Sequence, residues 1–330
     1  MACRLDNGVI TLLLDNDGKL SGITHASIGI NPLRPYCLWR AVMEYDSRRE
    51  VELRPSGKAE VLAGADRAEL HFTECVTRKG EKFPIDMRCT ITLEGEEIRF
   101  ASTVRNLLEG SVLREFQYPV LGVRRGLAHM SIIDSIEGGE RYNDFYDNIQ
   151  KWRTAYCQQD NKSRRRQYLY PGLVGAMNCF VLDFRTWGIY YGCHDPGFDS
   201  TMHIMELEQE TEELNLYMVR YPFLAPGEEW SEGNFVIAPY SGSWHHAARK
   251  YRAWAESAWY KPPEIPASVK KSEGWQRLIL KQQCGDLIHP YSTLEQAWED
   301  AEKAGIDTLF LFGWTRDGMD SGYPVYAPER

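Results

Sequence analysis

The residues best suited to chemistry lie in the stretch GWTRDGMDSGYPVYAPER (313–330). Trp314 presents a flat apolar face to a ligand. Asp317 and Asp320 are carboxylates three residues apart that can accept hydrogen bonds from hydroxyl groups or exchange a proton. Tyr323 would add a second aromatic wall. This set suits a polyhydroxylated ligand, and the alternative interpretation is a surface loop held by the turn preferences of Asp and Gly.

Two other loops carry residues of the same types. The stretch CGDLIHPYS contains Asp286 and His289, and the stretch CHDPGFDS contains His194 and Asp195. Each of these residues is a candidate ligand contact, because carboxylates and imidazoles bond well to hydroxyls. The alternative is that the aspartates form turns and that the histidines are incidental.

Glycoside hydrolysis needs two carboxyl groups, about 5 Å apart for retention or roughly 6.5–9.5 Å apart for inversion. Asp317 and Asp320 are too close in sequence to be assigned that geometry. We therefore predict substrate contacts at these positions and assign no catalytic pair.

The charge balance argues against one class of partner. The chain has 330 residues, with 47 acidic and 38 basic side chains and a net charge of −9. Such a surface repels polyanions, so we expect no nucleic-acid partner. The one basic run, KSRRRQY at 162–168, is interpreted as a solvated loop, with a phosphate or partner site as the alternative.

Cysteine spacing and the N-terminus bear on cofactors and location. None of the eight cysteines forms a C-x-x-C pair, so we expect neither a metal site nor an organic cofactor. The start, MACRLDNGVITLLLD, lacks the charged and apolar regions of a signal peptide, and no apolar run reaches the roughly 18 residues of a membrane span. These features predict a cytoplasmic protein with no membrane partner.

Residues 1–240 read as short strands separated by turns. In ITLEGEEIRFASTVRN, apolar residues nearly alternate with polar ones, as in a half-buried hairpin. The pattern predicts a large antiparallel β-sandwich domain. Within it, the polar segment 134–170 is predicted to be an excursion from the sheet.

The pattern changes at residue 241. SGSWHHAARKYRAWAESAWY has apolar residues at steps of three and four and predicts an amphipathic helix with Ser243 as its N-cap. This helix and the prolines after it form a predicted helical linker, 241–270. The segment 271–330 then reads strand, helix, strand, which predicts the first βαβ unit of an incomplete (β/α)8 barrel. Its loops are CGDLIHPYS and GWTRDGMDSGYP, on the face where barrels bind ligands.

Several stretches together carry a resemblance to a known family: LDNGVITLLLDNDGKL, YYGCHDP, WHHAARKYRAWAESAWY, GDLIHPYS and FGWTRDGMDSGYPVYAP. In this order the chain resembles a bacterial family with glycoside-hydrolase-like barrels. More distantly it is similar to the α-galactosidase superfamily, in which a galactose-mutarotase-like supersandwich precedes a (β/α)8 barrel.

The resemblance implies a glycosidase for α-linked oligosaccharides or glycosides, with Trp314, Asp317 and Asp320 binding substrate. In the α-galactosidase pattern an acidic pair precedes Gly-Trp, whereas here Phe312 precedes Gly313. The superfamily's catalytic carboxylates come from later strands, and a barrel takes about 250 residues. The resemblance therefore implies an N-terminal fragment that is inactive alone, with its catalytic residues beyond 330.

Other functions remain open at this stage. A non-catalytic carbohydrate-binding or assembly module would use the same aromatic residues. An aldose 1-epimerase would need a His and a Glu that meet on the sheet, for which His194 and Glu206 are available. A homo-oligomer or a complementary barrel chain is an open partner in each case.

Overall fold

The computed structural model describes residues 3–46, 49–57, 59–136, 138–143, 145–148, 164–172, 175–208, 211–283, 285–319 and 327. The chain divides into two compact units, residues 1–260 and residues 261–330. The predicted linker 241–270 is shared between them, since its helix belongs to the first unit. The boundaries at 240 and 270 remain a prediction. Among the described residues, no helix is long and apolar enough to cross a membrane.

The first unit is mainly β. Its strands are β1 (Cys3–Asp6), β2 (Ile10–Leu14), β3 (Leu20–His25), β4 (Arg40–Tyr45), β5 (Arg49–Pro55), β6 (Glu60–Ala63), β7 (Arg67–Thr77), β8 (Lys82–Glu94), β9 (Glu97–Asn106), β10 (Ser111–Gln117), β11 (Leu121–Val123), β12 (Ser131–Asp134), β13 (Glu140–Asn143), β14 (Arg165–Tyr170), β15 (Cys179–Asp183), β16 (Trp187–Cys193), β17 (Thr201–Leu207), β18 (Leu214–Arg220) and β19 (Glu229–Ser241). Its helices are α1 (Phe145–Asn148) and α2 (His245–Ala258).

One long antiparallel sheet forms most of this unit. Its described strands run in the order β13-β12-β15-β16-β19-β9-β8-β7-β5-β4-β10-β18-β17-β14, while β1–β3 form a separate small sheet. The sheet folds back on itself, because Phe116 of β10 contacts Trp230 of β19 although several strands separate β10 and β19. One hydrophobic core lies between the two layers. The predicted large antiparallel β-sandwich is confirmed.

Helix α2 covers part of the outer face of this sheet. Ala247, Tyr251 and Ala255 are its buried residues, and they pack with Tyr190 and Val236 among other strand residues. The helix follows the predicted apolar spacing. The predicted cap is wrong, because Trp244 occupies the N-cap position and no side chain caps the helix.

Two other expectations for this unit are wrong where the structure describes them. The segment 134–170 was predicted to leave the sheet, but β13 and β14 are strands of it. The basic run 162–168 is not a solvated loop over its described part. Arg166 is buried in β14, where its guanidinium donates to Glu140 at 2.7 Å. The half-buried carboxylate of Glu140 compensates the buried charge of Arg166.

The second unit is a small βαβ arrangement. It contains α3 (Ala267–Lys271), β20 (Trp275–Ile279), a 3-10 turn (Tyr291–Thr293), α4 (Leu294–Lys303) and β21 (Thr308–Phe312). β20 and β21 pair in parallel, from Trp275 opposite Thr308 to Ile279 opposite Phe312. The strand–helix–strand order and the parallel pairing agree with the sequence pattern. Assignment of this unit to a barrel remains a prediction.

Candidate functional site

The loops that follow β20 and β21 begin at the same edge of the parallel pair. Ile279 is the last residue of β20, and it lies opposite Phe312, the last residue of β21. Parallel pairing therefore places the two loops side by side, at the end of the strands where α/β proteins bind their ligands.

Hydrogen bonds join the two loops to each other. The Lys281 ammonium donates to the carbonyl of Arg316 at 3.1 Å, and the backbone N–H of Met319 donates to the carbonyl of Gln282 at 3.3 Å. Tyr291, which follows the first loop, donates its hydroxyl to the carbonyl of Trp314 at 2.8 Å. The loops therefore form one surface.

Two glycines make this close approach possible. Gly313 and Gly318 have φ values of 64° and 94°. A Cβ at Gly313 would lie 2.3 Å from the carbonyl oxygen of Lys281, and a Cβ at Gly318 would lie 2.2 Å from that of Gln282. Both the backbone conformation and the available space require glycine here.

Four of the predicted site residues lie exposed on this surface. Asp286 and His289 belong to the first loop, and Trp314 and Asp317 to the second. Trp314 is 39% exposed. Asp317 has the guanidinium of Arg316 at 3.7 Å. Asp320 and Tyr323 lie outside the described residues.

His194 has a different setting, in the first unit. It is buried, its ring stacks on Trp254 at 4.7 Å, and its Nε2 lies 2.8 Å from the hydroxyl of Tyr190. Burial lowers the pKa of His194 to about 4, against a smaller opposing effect of Glu97. The ring is therefore neutral near pH 7 and acts as a packing residue for helix α2.

Asp195 holds its own loop and a buried arginine. Its carboxylate accepts from the backbone N–H groups of Gly197 and Asp199 at 2.8 and 3.0 Å. It also pairs at 2.7 Å with Arg220, which pairs at 2.7 Å with Glu232. All three charged side chains are buried. Such a satisfied network is structural, since its polar atoms are already engaged.

His194 and Glu206 contact different parts of the sandwich. Glu206 accepts from Arg40 and from Tyr217, at 3.1 and 3.0 Å, whereas His194 packs under helix α2. His194 directly follows β16, Glu206 lies in β17, and these two strands are not neighbours in the sheet. The contacts therefore give no support to a catalytic pair of these two residues.

The sequence analysis missed the cluster around Arg40. This arginine is 2% exposed, donates to Gln117 at 2.8 Å, and lies over the ring of Tyr217 at 4.2 Å. Glu206 and Glu52 supply carboxylates at 3.1 and 3.9 Å. A signal was present in the sequence, because Arg40 interrupts the apolar run YCLWRAVM.

A second missed cluster surrounds Asp134. Arg166 lies 3.8 Å from this buried carboxylate and 2.7 Å from Glu140. Burial raises the pKa of Asp134 to about 7, although a backbone hydrogen bond and Arg166 oppose the shift. Among the described residues, no group of three His, Cys, Asp or Glu side chains could hold a metal ion.

No known protein family matches the sequence, and no match was found among curated proteins. Solved structures do match the fold. An α-N-acetylgalactosaminidase from Bifidobacterium bifidum, in complex with GalNAc, matches with a TM-score of 0.60 and 13% identity over 99% of this chain and 54% of its own. The present chain thus spans about half of that enzyme's length.

Two further structures match more weakly. A candidate aldose 1-epimerase from Escherichia coli K12 matches with a TM-score of 0.46 and 11% identity, over 73% of this chain and 99% of its own. A GH36 α-galactosidase from Geobacillus stearothermophilus in complex with stachyose matches with a TM-score of 0.47 and 11% identity, over 96% of this chain and 51% of its own. At these identities the likeness is one of fold.

Proposed function

We propose that the protein is a sugar-binding part of a glycoside hydrolase acting on α-linked oligosaccharides. The observation that carries the proposal is the joined pair of loops after β20 and β21. They bring Asp286, His289, Trp314 and Asp317 to one exposed surface at the carboxyl ends of parallel strands.

The side chains on these loops suit a sugar. An indole ring packs against the apolar C–H face of a pyranose. A carboxylate accepts hydrogen bonds from neighbouring hydroxyl groups, and bonds to a charged acceptor are the stronger kind. Trp314 and Asp317 lie three residues apart in one loop, so the apolar and polar contacts can act on the same ring.

The structural comparison supports the same class of ligand. The α-N-acetylgalactosaminidase that shares this fold was solved with GalNAc, which fits a sugar-related role for the present chain. We assign no catalytic carboxylates to the present residues. A binding module without catalysis would use the same loops, and turnover separates the two functions.

The first test is binding of raffinose, stachyose and GalNAc to the full chain by isothermal titration calorimetry. Trp314→Ala should weaken binding by about tenfold, which corresponds to about 1.4 kcal/mol. Trp298→Ala is the matched control, since Trp298 on α4 is also 39% exposed but lies outside the two loops. Equal effects of the two variants, or no binding by the wild type, would refute the proposal.

The second test is hydrolysis of p-nitrophenyl α-galactoside and of raffinose. Binding with turnover would place catalytic carboxylates within the present chain. Binding without turnover would favour the non-catalytic binding module for this chain.

A further inference from the structure

A cleft of about 870 Å³ lies on the outer face of the sandwich, and none of the predicted ligand contacts lines it. Strands β6, β7, β8, β9 and β19 form its floor. The volume falls within the range of small-molecule sites, which is roughly 300–1,000 Å³. The cleft belongs entirely to the first unit.

The register of the sheet aligns polar side chains across this floor. Glu60 lies opposite His71, His71 opposite Arg88, Arg88 opposite Thr103, and Thr103 opposite Ser231. Since neighbouring strands lie about 4.8 Å apart, these five positions make a row of roughly 19 Å. A row of this length suits an extended ligand that crosses the strands.

A second row of residues leaves room above the floor. Glu69 lies opposite Thr90, and Thr90 lies opposite Ala101. Beyond Ala101 comes Gly233, where an added Cβ would be 3.9 Å from that of Ala101. The small side chains in the middle of this row open the cleft. Leu62, which is 74% exposed, stands at the β6 end.

Most charges of the first row are already paired. Nε2 of His71 lies 2.9 Å from the Asp86 carboxylate, and Arg88 donates to the same carboxylate at 3.3 Å. The hydroxyls of Thr103 and Ser231 are 2.9 Å apart. Hydroxyls and paired charges offer many donors and acceptors without a strong net field, which suits a neutral, polyhydroxylated ligand.

Other kinds of ligand fit the cleft less well. The net charge of −9 disfavours polyanions, and Arg88, the arginine of the first row, is already paired with Asp86. A peptide strand adds to the edge of a sheet, whereas the cleft lies on a face. An amphipathic helix inserts several large apolar side chains into a groove of large apolar partners, whereas Leu62 is the one large apolar side chain that is well exposed among the described lining residues.

We propose that this cleft is a second saccharide site, which binds an extended, neutral oligosaccharide across β6–β9 and β19. The ligand class rests on the proposed function, but the site and its residues do not.

The test is a titration of the full, ¹⁵N-labelled chain with raffinose and with maltotetraose, followed by amide chemical shifts. We expect shifts in β7, β8 and β9. Arg88→Ala and Ala101→Trp should each weaken this response at least fivefold, the first by removing a donor and the second by filling the cleft. Trigalacturonate, which is anionic, should give no shifts there.

Two variants serve as controls. Arg99→Ala removes an exposed, carboxylate-paired arginine on β9 that does not line the cleft, and it should leave the response unchanged. Trp314→Ala should also leave the shifts in β7–β9 unchanged. Thermal unfolding of each variant checks that it is folded.

The outcomes separate this inference from the proposed function. Shifts confined to residues 285–319, with no effect of Arg88→Ala, would overturn the cleft proposal and leave the loop site standing. Shifts in β7–β9 that persist in Trp314→Ala and become smaller in Arg88→Ala would support the cleft, whether or not the loops after β20 and β21 bind sugar. No shift with either neutral sugar would overturn both.

Discussion

Two loops of similar sequence have opposite environments in this molecule. HDPGFD (194–199) and TRDGMD (315–320) both combine aspartates with a glycine. Asp195 in the first loop is buried and bonded to two backbone N–H groups and to Arg220. Asp317 in the second is exposed, with Arg316 at 3.7 Å. The same residue types thus hold a fold together in one place and remain available to a ligand in the other.

The largest effect is expected for Arg220→Met, which tests this contrast. It leaves the buried carboxylates of Asp195 and Glu232 without their cation, so we expect a loss of about 3–5 kcal/mol in the free energy of unfolding, measured with urea. Arg316→Met beside Asp317 is the control and should change stability by less than about 0.5 kcal/mol. Similar losses for both variants would erase the distinction between the loops.

A pH titration of stability tests the packing role of His194. Burial lowers the pKa of His194 to about 4 and that of His203 to about 3, from 6.5. Between its folded and its unfolded pKa each histidine is protonated more in the unfolded chain, so the histidines' contribution to stability is complete above about pH 6.5 and falls as the pH drops toward 4. Asp134, whose pKa is raised to about 7, acts in the opposite direction over this range, so the test is the difference between the wild type and a His194 variant. The slope is at most about 1.4 kcal/mol per pH unit for each histidine.

His194→Gln should make this slope shallower. Urea unfolding at intervals from pH 8 to pH 4.5 gives the comparison, and the value at pH 8 gives the pH-independent cost of the substitution. Parallel curves for the wild type and the variant would show that His194 does not contribute as proposed.

Gly318→Ala should disturb the joined loops. A Cβ there meets the carbonyl of Gln282, at a φ that disfavours other residues, and we expect a cost of about 1–3 kcal/mol in local stability. Hydrogen exchange of residues 281–319 and raffinose affinity should both change. Gly305→Ala is the control. Gly305 also has a positive φ, 75°, but an added Cβ there would meet no atom within 4 Å. This variant should lower stability by about 1 kcal/mol and leave raffinose affinity unchanged.

The smallest expected effect is that of Asp317→Asn. Replacing an exposed carboxylate by an amide keeps the shape and weakens hydrogen bonds from a sugar, so affinity should fall by a few fold, equivalent to about 1 kcal/mol. Stability should not change. Asp195→Asn should do the reverse, with a measurable loss of stability and unaltered raffinose affinity, as calorimetry and urea unfolding would record.

Much of the local structure was predictable from short-range pattern. In the hairpin of β8 and β9, the apolar residues Ile91, Leu93, Ile98 and Phe100 are all buried, and Leu93 lies opposite Ile98 across the Gly95 turn. The apolar steps of α2 and the parallel pairing in the second unit also follow the sequence. In each case neighbours along the chain determine the structure.

Long-range charge pairing was not predictable in the same way. Arg40 of β4 pairs with Glu206 of β17 across the two strands between them, β10 and β18. Arg166 of β14 pairs with Glu140 of β13, although these two strands lie at opposite ends of the strand order. A run such as KSRRRQY looks solvated when its partners are unknown. Asp195 and Asp317 have similar neighbours in sequence, but Asp195 is buried and pairs with Arg220, a residue distant in sequence.

The strand order also bears on how the chain folds. The end of β19 pairs with the start of β9, so that Ile237 meets Ile98, more than a hundred residues earlier. The middle of the sheet therefore cannot close during synthesis until the ribosome has released the segment up to Ser241. Contacts of such long sequence separation slow folding, and the unpaired edge of β9 is open to wrong partners during that interval. The βαβ unit of the second half closes over a much shorter stretch, so we expect it to form quickly once it is made.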